Sequence, residues 1–180
     1  MKKFLTIIPL VILLCFSISC QNQEATAELE ALKAQMEIEE QNKELMRKSF
    51  EEWNKGSSEF FMEATTPDYV IYSPSGNPNP ASREEAVENV KMFWKGFPDI
   101  SFNIEELIAV GDKIIVRFIA RGTHEGEFMG IPATGKKIEV SAIIISRIED
   151  GKFVEEWEEM DTLGLMMQLG MEFKPKEAEK

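Results

Sequence analysis

Histidine is almost missing from this chain: among 180 residues there is one, His124, beside two cysteines, Cys15 and Cys20. A single imidazole excludes a multi-histidine metal site. Two cysteines exclude a disulfide framework and a cysteine-built zinc cage. Positive charge is scarce as well. Twenty Lys and Arg face 32 Asp and Glu, a net charge of −12. That argues against nucleic-acid binding through phosphates and against an electrostatic grip on anionic lipid, since both need concentrated Lys and Arg. No apolar run approaches the roughly 20 residues of a spanning helix. What is present is ordinary for a globular protein of about one domain: 43% hydrophobic and 29% charged residues.

The N-terminus reads as an address. Lys2 and Lys3 precede an apolar run from Phe4 to Phe16, broken only by Thr6 and Pro9. The run ends in Ser17-Ile18-Ser19-Cys20 and turns polar at Gln21. Basic start, short apolar core and small residues before the break are the parts of a signal peptide. Small residues just before Cys20 resemble the bacterial lipobox, with Ser17 where Leu is usual. That resemblance implies cleavage before Cys20, lipidation of its thiol, and an exported protein anchored to a bacterial membrane on its periplasmic or surface side. The alternative is an ordinary secretory leader with an incidental cysteine. Residues 1–19 are thus the expected leader. Residues 20–41, rich in Ala, Glu, Leu, Lys and Gln, are a helical stalk or a disordered tether. Residues 42–170 are the domain and 171–180 a polar tail.

Within the domain, Leu45, Met46, Phe50 and Trp53 share a helical face, and Gly56 breaks that helix. A short helix over 59–64 and a strand around Tyr69–Tyr72 follow. Ser73 to Ala81 holds three prolines and a glycine and reads as a loop. Ser82 and Glu85 form a capping box for a helix carrying Val87, Val90, Trp94 and Phe97. The remainder reads as a four-strand antiparallel meander over 100–110, 113–124, 136–148 and 152–161. Gly111-Asp112 and Asp150-Gly151 make its tight turns, and a short helix over 163–169 closes it. Helices first and hairpin-linked strands later give α+β. The expected object is a curved antiparallel sheet wrapped on the N-terminal helices, a cone with an apolar interior suited to a small molecule.

The run Gly122-Thr123-His124-Glu125-Gly126-Glu127-Phe128-Met129-Gly130-Ile131-Pro132-Ala133-Thr134-Gly135-Lys136 is densely patterned. It resembles the GTHxGxFxGIPxTGK run of the SnoaL-like polyketide cyclases, or ester cyclases. Phe97-Pro98-Asp99 and Gly111-Asp112-Lys113 resemble that family's opening of the sheet. Arg147 to Lys152, with Glu155, Trp157, Asp161, Leu165 and Gln168-Leu169-Gly170, resemble its last strand and helix. The likeness covers about Leu45 to Gly170. It implies the cone fold of the nuclear transport factor superfamily and an intramolecular aldol-type ring closure needing no cofactor. The chain departs from the family at Glu156, where His is frequent, at Glu159, and in the loop Ser73–Asn77, which lacks His-Asp-Pro.

Strand alternation puts Asp161 on one face with Phe153, Glu155 and Trp157. A carboxylate beside aromatic carbon is poorly solvated, which raises its pKa and makes it a better base. Asp161 is therefore the candidate base, and equally a helix N-cap. His124 continues the row Ile114, Val116, Phe118 and Ala120, either as a donor to substrate or as a satisfied structural residue. Trp157 and Phe118 are expected as pocket wall, with Glu155 orienting a neighbour. Arg117 and Arg121 read as surface ion-pair partners, Trp53 and Trp94 as plain core, and Glu156, Glu158 and Glu159 as a solvated acidic rim. The ten methionines read as core or adaptable lining and not as a metal site. Two functions stay open: an enzyme acting on a small apolar carbonyl compound, or a module that binds a ligand or forms a homodimer through its sheet.

Overall fold

The computed structural model describes residues 7–172, with side chains from Gln23 onward. Lys2, Lys3 and Phe4, the side chain of Cys20, and residues 173–180 lie outside that description. The chain divides into two units at Ile38/Glu39.

The described residues of the first unit are helical and belong to α1 (Ile7–Asn54). Leu29, Leu32, Met36 and Ile38 are each more than half exposed. From Gln21 to Asn54 no glycine or proline interrupts, so nothing stops the helix at Asn42, where a new one was expected to begin. Among the described residues no helix is long and apolar enough to cross a membrane.

In the second unit, α1 buries Asn42, Met46, Ser49 and Phe50, a spacing of three and four that lays one face on a core. α2 (Glu59–Ala64) leads into β1 (Thr65–Tyr72). After the loop, β2 (Ala81–Ser82) precedes α3 (Arg83–Gly96), whose capping box is fully formed: Glu85 N–H donates to Ser82 Oγ, and Ser82 N–H donates to Glu85 Oε2. Then come β3 (Ser101–Val110), β4 (Lys113–Thr123), β5 (Lys137–Glu149), β6 (Lys152–Met160) and α4 (Thr162–Leu169). Asp150 and Gly151 both have positive φ, the two-residue hairpin turn that Asp-Gly favours.

The six strands form one curved sheet in the order β2-β1-β6-β5-β4-β3. The fold is α+β, as expected, but the sheet is mixed. β3 to β6 are antiparallel neighbours, whereas β1 lies parallel to β6. β1 and the last strand are separated by the rest of the sheet in sequence, so their pairing is not a hairpin and its direction was not legible in turn signals. One face of the sheet carries Ile114, Val116, Phe118 and Ala120 from β4, and Ile138, Val140, Ala142 and Ile144 from β5, all at most 3% exposed. With Met46, Phe50, Phe61, Tyr69, Phe97, Phe153 and Leu165 they make the core. The other face carries ion pairs, Arg117–Glu106 and Arg121–Glu139, each at 2.9 Å. It also carries an apolar row that runs in register through Ile108, Ile115, Ile145, Trp157 and Tyr72.

Candidate active site

The register of β6 decides which side chains reach the interior. Ile148 pairs with Phe153 and Arg147 pairs with Glu155, so Val154 is an extra residue with no opposite partner, a β-bulge. Side chains alternate along a strand, and one extra residue inverts every face beyond it. Phe153 is fully buried, and the residues that follow it inward are Glu156, Glu158 and Met160. Glu155, Trp157 and Glu159 fall on the outer side.

The inward residues border a cavity of about 330 Å³. Its wall is mostly apolar and rich in aromatic rings: Trp53 of α1, Phe61 of α2, Phe93 of α3, Phe102 of β3, Phe118 of β4 and Phe128 all line it. Trp53 is thus wall as well as core. No Lys, Arg or His is among the lining residues. The polar groups are Tyr69, Glu156 and Glu158, with Ser58, Ser73, Asn77, Asn89 and Thr162.

Glu156 is 3% exposed. Tyr69 Oη–H donates to its Oε2 at 2.5 Å, and Ser146 Oγ–H donates to its Oε1 at 2.5 Å. Burial raises its pKa from 4.5 to about 7, the two hydroxyl bonds offset part of that, and the neighbouring Glu158 adds to it. Burial, then the Glu156 charge, hold the Tyr69 phenol well above its usual value, so it stays a donor. Glu158 accepts from Ser73 Oγ–H at 2.7 Å. Its pKa is also raised, first by loss of solvent and then by Glu159. Glu159 in turn accepts from the backbone N–H of Ser75 at 3.1 Å and from the Ser75 hydroxyl. Adjacent residues on opposite faces of β6 thereby hold one loop, the stretch from Ser73 to Pro80 that contributes Ser73 and Asn77 to the cavity.

Of the residues singled out in the sequence, Phe118 lines this cavity. Asp161 does not. It is exposed and caps α4, accepting from Gly164 N–H at 2.8 Å. The strand ends one residue before it, and the bulge has already reversed the face it was assigned. Trp157 stacks on Tyr72 on the outer face, with ring centroids 6.1 Å apart. Glu155 is also outside, 3.3 Å from Arg147. His124 is fully buried but sits behind the cavity wall, its ring 5.1 Å from Phe97 and 6.5 Å from Phe128. Its Nδ1 lies 3.0 Å from Thr134 Oγ1 and accepts from Thr134 N–H at 3.3 Å, while Nε2 has no hydrogen-bond partner among the described residues. The chain therefore does not bring Asp161, His124 and Trp157 to one ligand. The glutamates read as a solvated rim divide instead: Glu156 and Glu158 face the cavity and Glu159 is exposed. A strand parity count cannot see a bulge. The usable signal was Ser146, the one polar residue in β5's inward row Ala142, Ile144, Ser146, Ile148, which calls for a buried polar partner opposite. Among the described residues, no group of three or more His, Cys, Asp or Glu could hold a metal ion.

The family model of the SnoaL-like polyketide cyclases matches residues 43–169. The chain belongs to this family. Solved structures of similar proteins agree with the SnoaL-like assignment. IdmH of Streptomyces antibioticus, a candidate polyketide cyclase, is 31% identical over 72% of this chain and 99% of its own, with a TM-score of 0.64. TsrD of Streptomyces laurentii is 32% identical over 71% and 92%, TM-score 0.63. AclR of Streptomyces galilaeus, a candidate hydroxylase, is 29% identical over 77% and 87%, TM-score 0.69. No curated protein matches the chain. The SnoaL-like frame is thus firm, and the differing names of its structural neighbours leave the reaction to be argued from this chain's own cavity.

Proposed function

We propose that this SnoaL-like protein performs cofactor-independent acid–base chemistry, an aldol-type cyclisation or isomerisation, on a small carbonyl compound held in the aromatic cavity. One observation carries the reading: two poorly solvated carboxyl groups, Glu156 and Glu158, project from one strand face into a mostly apolar cavity. Desolvation makes a carboxylate a stronger base, and a working base is best placed near the ambient pH. Glu158 is the base, because only one hydrogen bond, from Ser73, engages it. It takes a proton from the carbon beside a carbonyl, and the electron pair moves onto the carbonyl oxygen as an enolate. The enolate carbon then bonds to a second carbonyl carbon of the same molecule, and Glu158 returns its proton to the alkoxide so formed. Asn77, at the cavity wall, has an amide N–H₂ for the enolate oxygen. Glu156, fixed by Tyr69 and Ser146, shapes the polarity of the floor.

The test is hydrogen–deuterium exchange at the α-carbon of a small β-keto ester in D2O, followed by NMR. Wild type should exceed buffer, and Glu158→Gln should lower the rate about a hundredfold or more. Exchange at the buffer rate in wild type, or full exchange in the variant, refutes the assignment. We also propose that the chain is exported and lipid-anchored at Cys20. This rests on the basic start, the apolar run and the small residues before that cysteine.

A further inference from the structure

The charge balance of the cavity points past "a carbonyl compound" to a narrower class of ligand. We infer that the cavity takes a small organic cation, an apolar molecule bearing a primary ammonium group, with the ammonium on Glu156 and Glu158 and its carbon skeleton against the aromatic wall. The inference rests on the reading of this cavity as the ligand site.

Three observations combine. First, the lining has two carboxyl groups and no Lys, Arg or His. An anionic ligand would meet like charge with no cation to offset it, and burying an unpaired charge is costly. Second, the carboxyl groups have unused capacity. A carboxylate offers about four acceptor positions; Glu156 uses two, for Tyr69 and Ser146, and Glu158 uses one, for Ser73. Two residues apart on one strand face, their Cα atoms are about 7 Å apart along the strand, and both carboxyl groups border the same cavity, so one ammonium with three donors can reach toward both. Third, the remaining wall includes Trp53, Phe61, Phe93, Phe102, Phe118 and Phe128. Aromatic faces attract a desolvated cation through the ring quadrupole, and carboxyl groups backed by such faces make a setting for ammonium. A neutral ligand would leave both carboxyl groups without a counter-charge. The cation supplies one, and the net charge of −12 raises its concentration near the protein. The volume, about 330 Å³, sits at the small end of ligand pockets, roughly 300–1,000 Å³.

The test uses three probes of one shape on the full chain: 2-naphthylmethylamine, 2-naphthylmethanol and 2-naphthoate, titrated calorimetrically at pH 7.5. A hydrogen bond to a charged group is worth enough that the amine should bind about tenfold or more tighter than the alcohol. The naphthoate should not bind. Glu156→Gln and Glu158→Gln should each erase most of that preference, while Glu106→Gln on the outer face should not alter it. If the alcohol binds as well as the amine, the cation inference is overturned and the cavity remains the ligand site. A preference that survives both cavity variants also overturns it, because the amine is then held elsewhere on the acidic surface. If none of the three binds saturably, the cavity reading itself falls. The wild-type comparison stands even if a variant does not fold.

Discussion

Replacing Glu156 by Gln should stabilise the protein, and increasingly so as pH rises above the ordinary carboxylate range. In the folded chain the Glu156 carboxyl titrates at about 7, against 4.5 when solvated. Between those values the native state holds a proton that the unfolded chain has released. Stability therefore falls as pH rises through that window. The gap, at about 1.4 kcal/mol per pH unit, makes the full cost above pH 8 about 3 kcal/mol. Glu156 is almost wholly buried, so solvent screening does not reduce that figure. Gln has the same shape, carries no charge, and can both accept from and donate to the hydroxyls of Tyr69 and Ser146. Chemical denaturation of both proteins from pH 4 to 9 should show a constant difference at or below pH 4.5. Above it, the difference should grow in favour of Gln to about 3 kcal/mol, or about 10 °C in Tm for a domain of this size. Taking the difference cancels the surface carboxylates. A pH-independent offset, or a variant less stable than wild type at pH 8, would refute the claim that a desolvated carboxyl sits at this position.

Three further outcomes can be checked. A Cβ on Gly126 would run into the backbone carbonyl of Lys95, where the N–H groups of Glu125 and Gly126 both donate to Gly96 O at 3.0 Å; Gly126→Ala should cost about 1–3 kcal/mol or more, the scale of overpacking, and a thermal melt within about 1 °C of wild type would contradict this. Asp161→Asn should leave stability within a few tenths of a kcal/mol and Asp161→Ala should cost about 1 kcal/mol, both with unchanged exchange chemistry; loss of activity in Asp161→Asn would restore that residue as a base. If Cys20 is the lipidated terminus, Cys20→Ser should abolish incorporation of labelled palmitate, and labelling that persists in the variant would end the anchor reading.

Much of the fold is legible because it depends on local rules. The Ser82–Glu85 capping box, the Asp150-Gly151 turn and the row Ile114, Val116, Phe118, Ala120 are all decided within a few residues of chain. What escaped is what depends on distant pairing. β1 docks parallel to β6, with Val70 opposite Glu155, across more than 80 residues of sequence, and no turn announces it. α1 runs unbroken through Asn42, the expected start of the domain, because helix formers fill 21–54. Phe118 was placed correctly since β4 has no irregularity against β5. The faces expected for Glu155, Trp157 and Asp161 were lost at a single point, Val154, and every later residue of β6 inherited the inversion.

That bulge also decides which carboxyl groups are buried. Without it the same residues would pair with regular alternation: Glu155, Trp157 and Glu159 would turn inward, and Glu156 and Glu158 would return to water. Either register carries two carboxyl groups inward, so hydrophobicity does not choose between them. The bulged register is held by specific partners: Tyr69 and Ser146 on Glu156, Ser73 on Glu158, Arg147 on Glu155, and Tyr72 stacked on Trp157. Burying the Glu156 carboxyl still costs stability at neutral pH. Natural sequences are mostly self-consistent, and conflict between local and global preference concentrates at functional sites. Selection for stability and selection for an acidic cavity therefore pull β6 in opposite directions. A laboratory search for thermostable variants would be expected to remove the cavity carboxyls first.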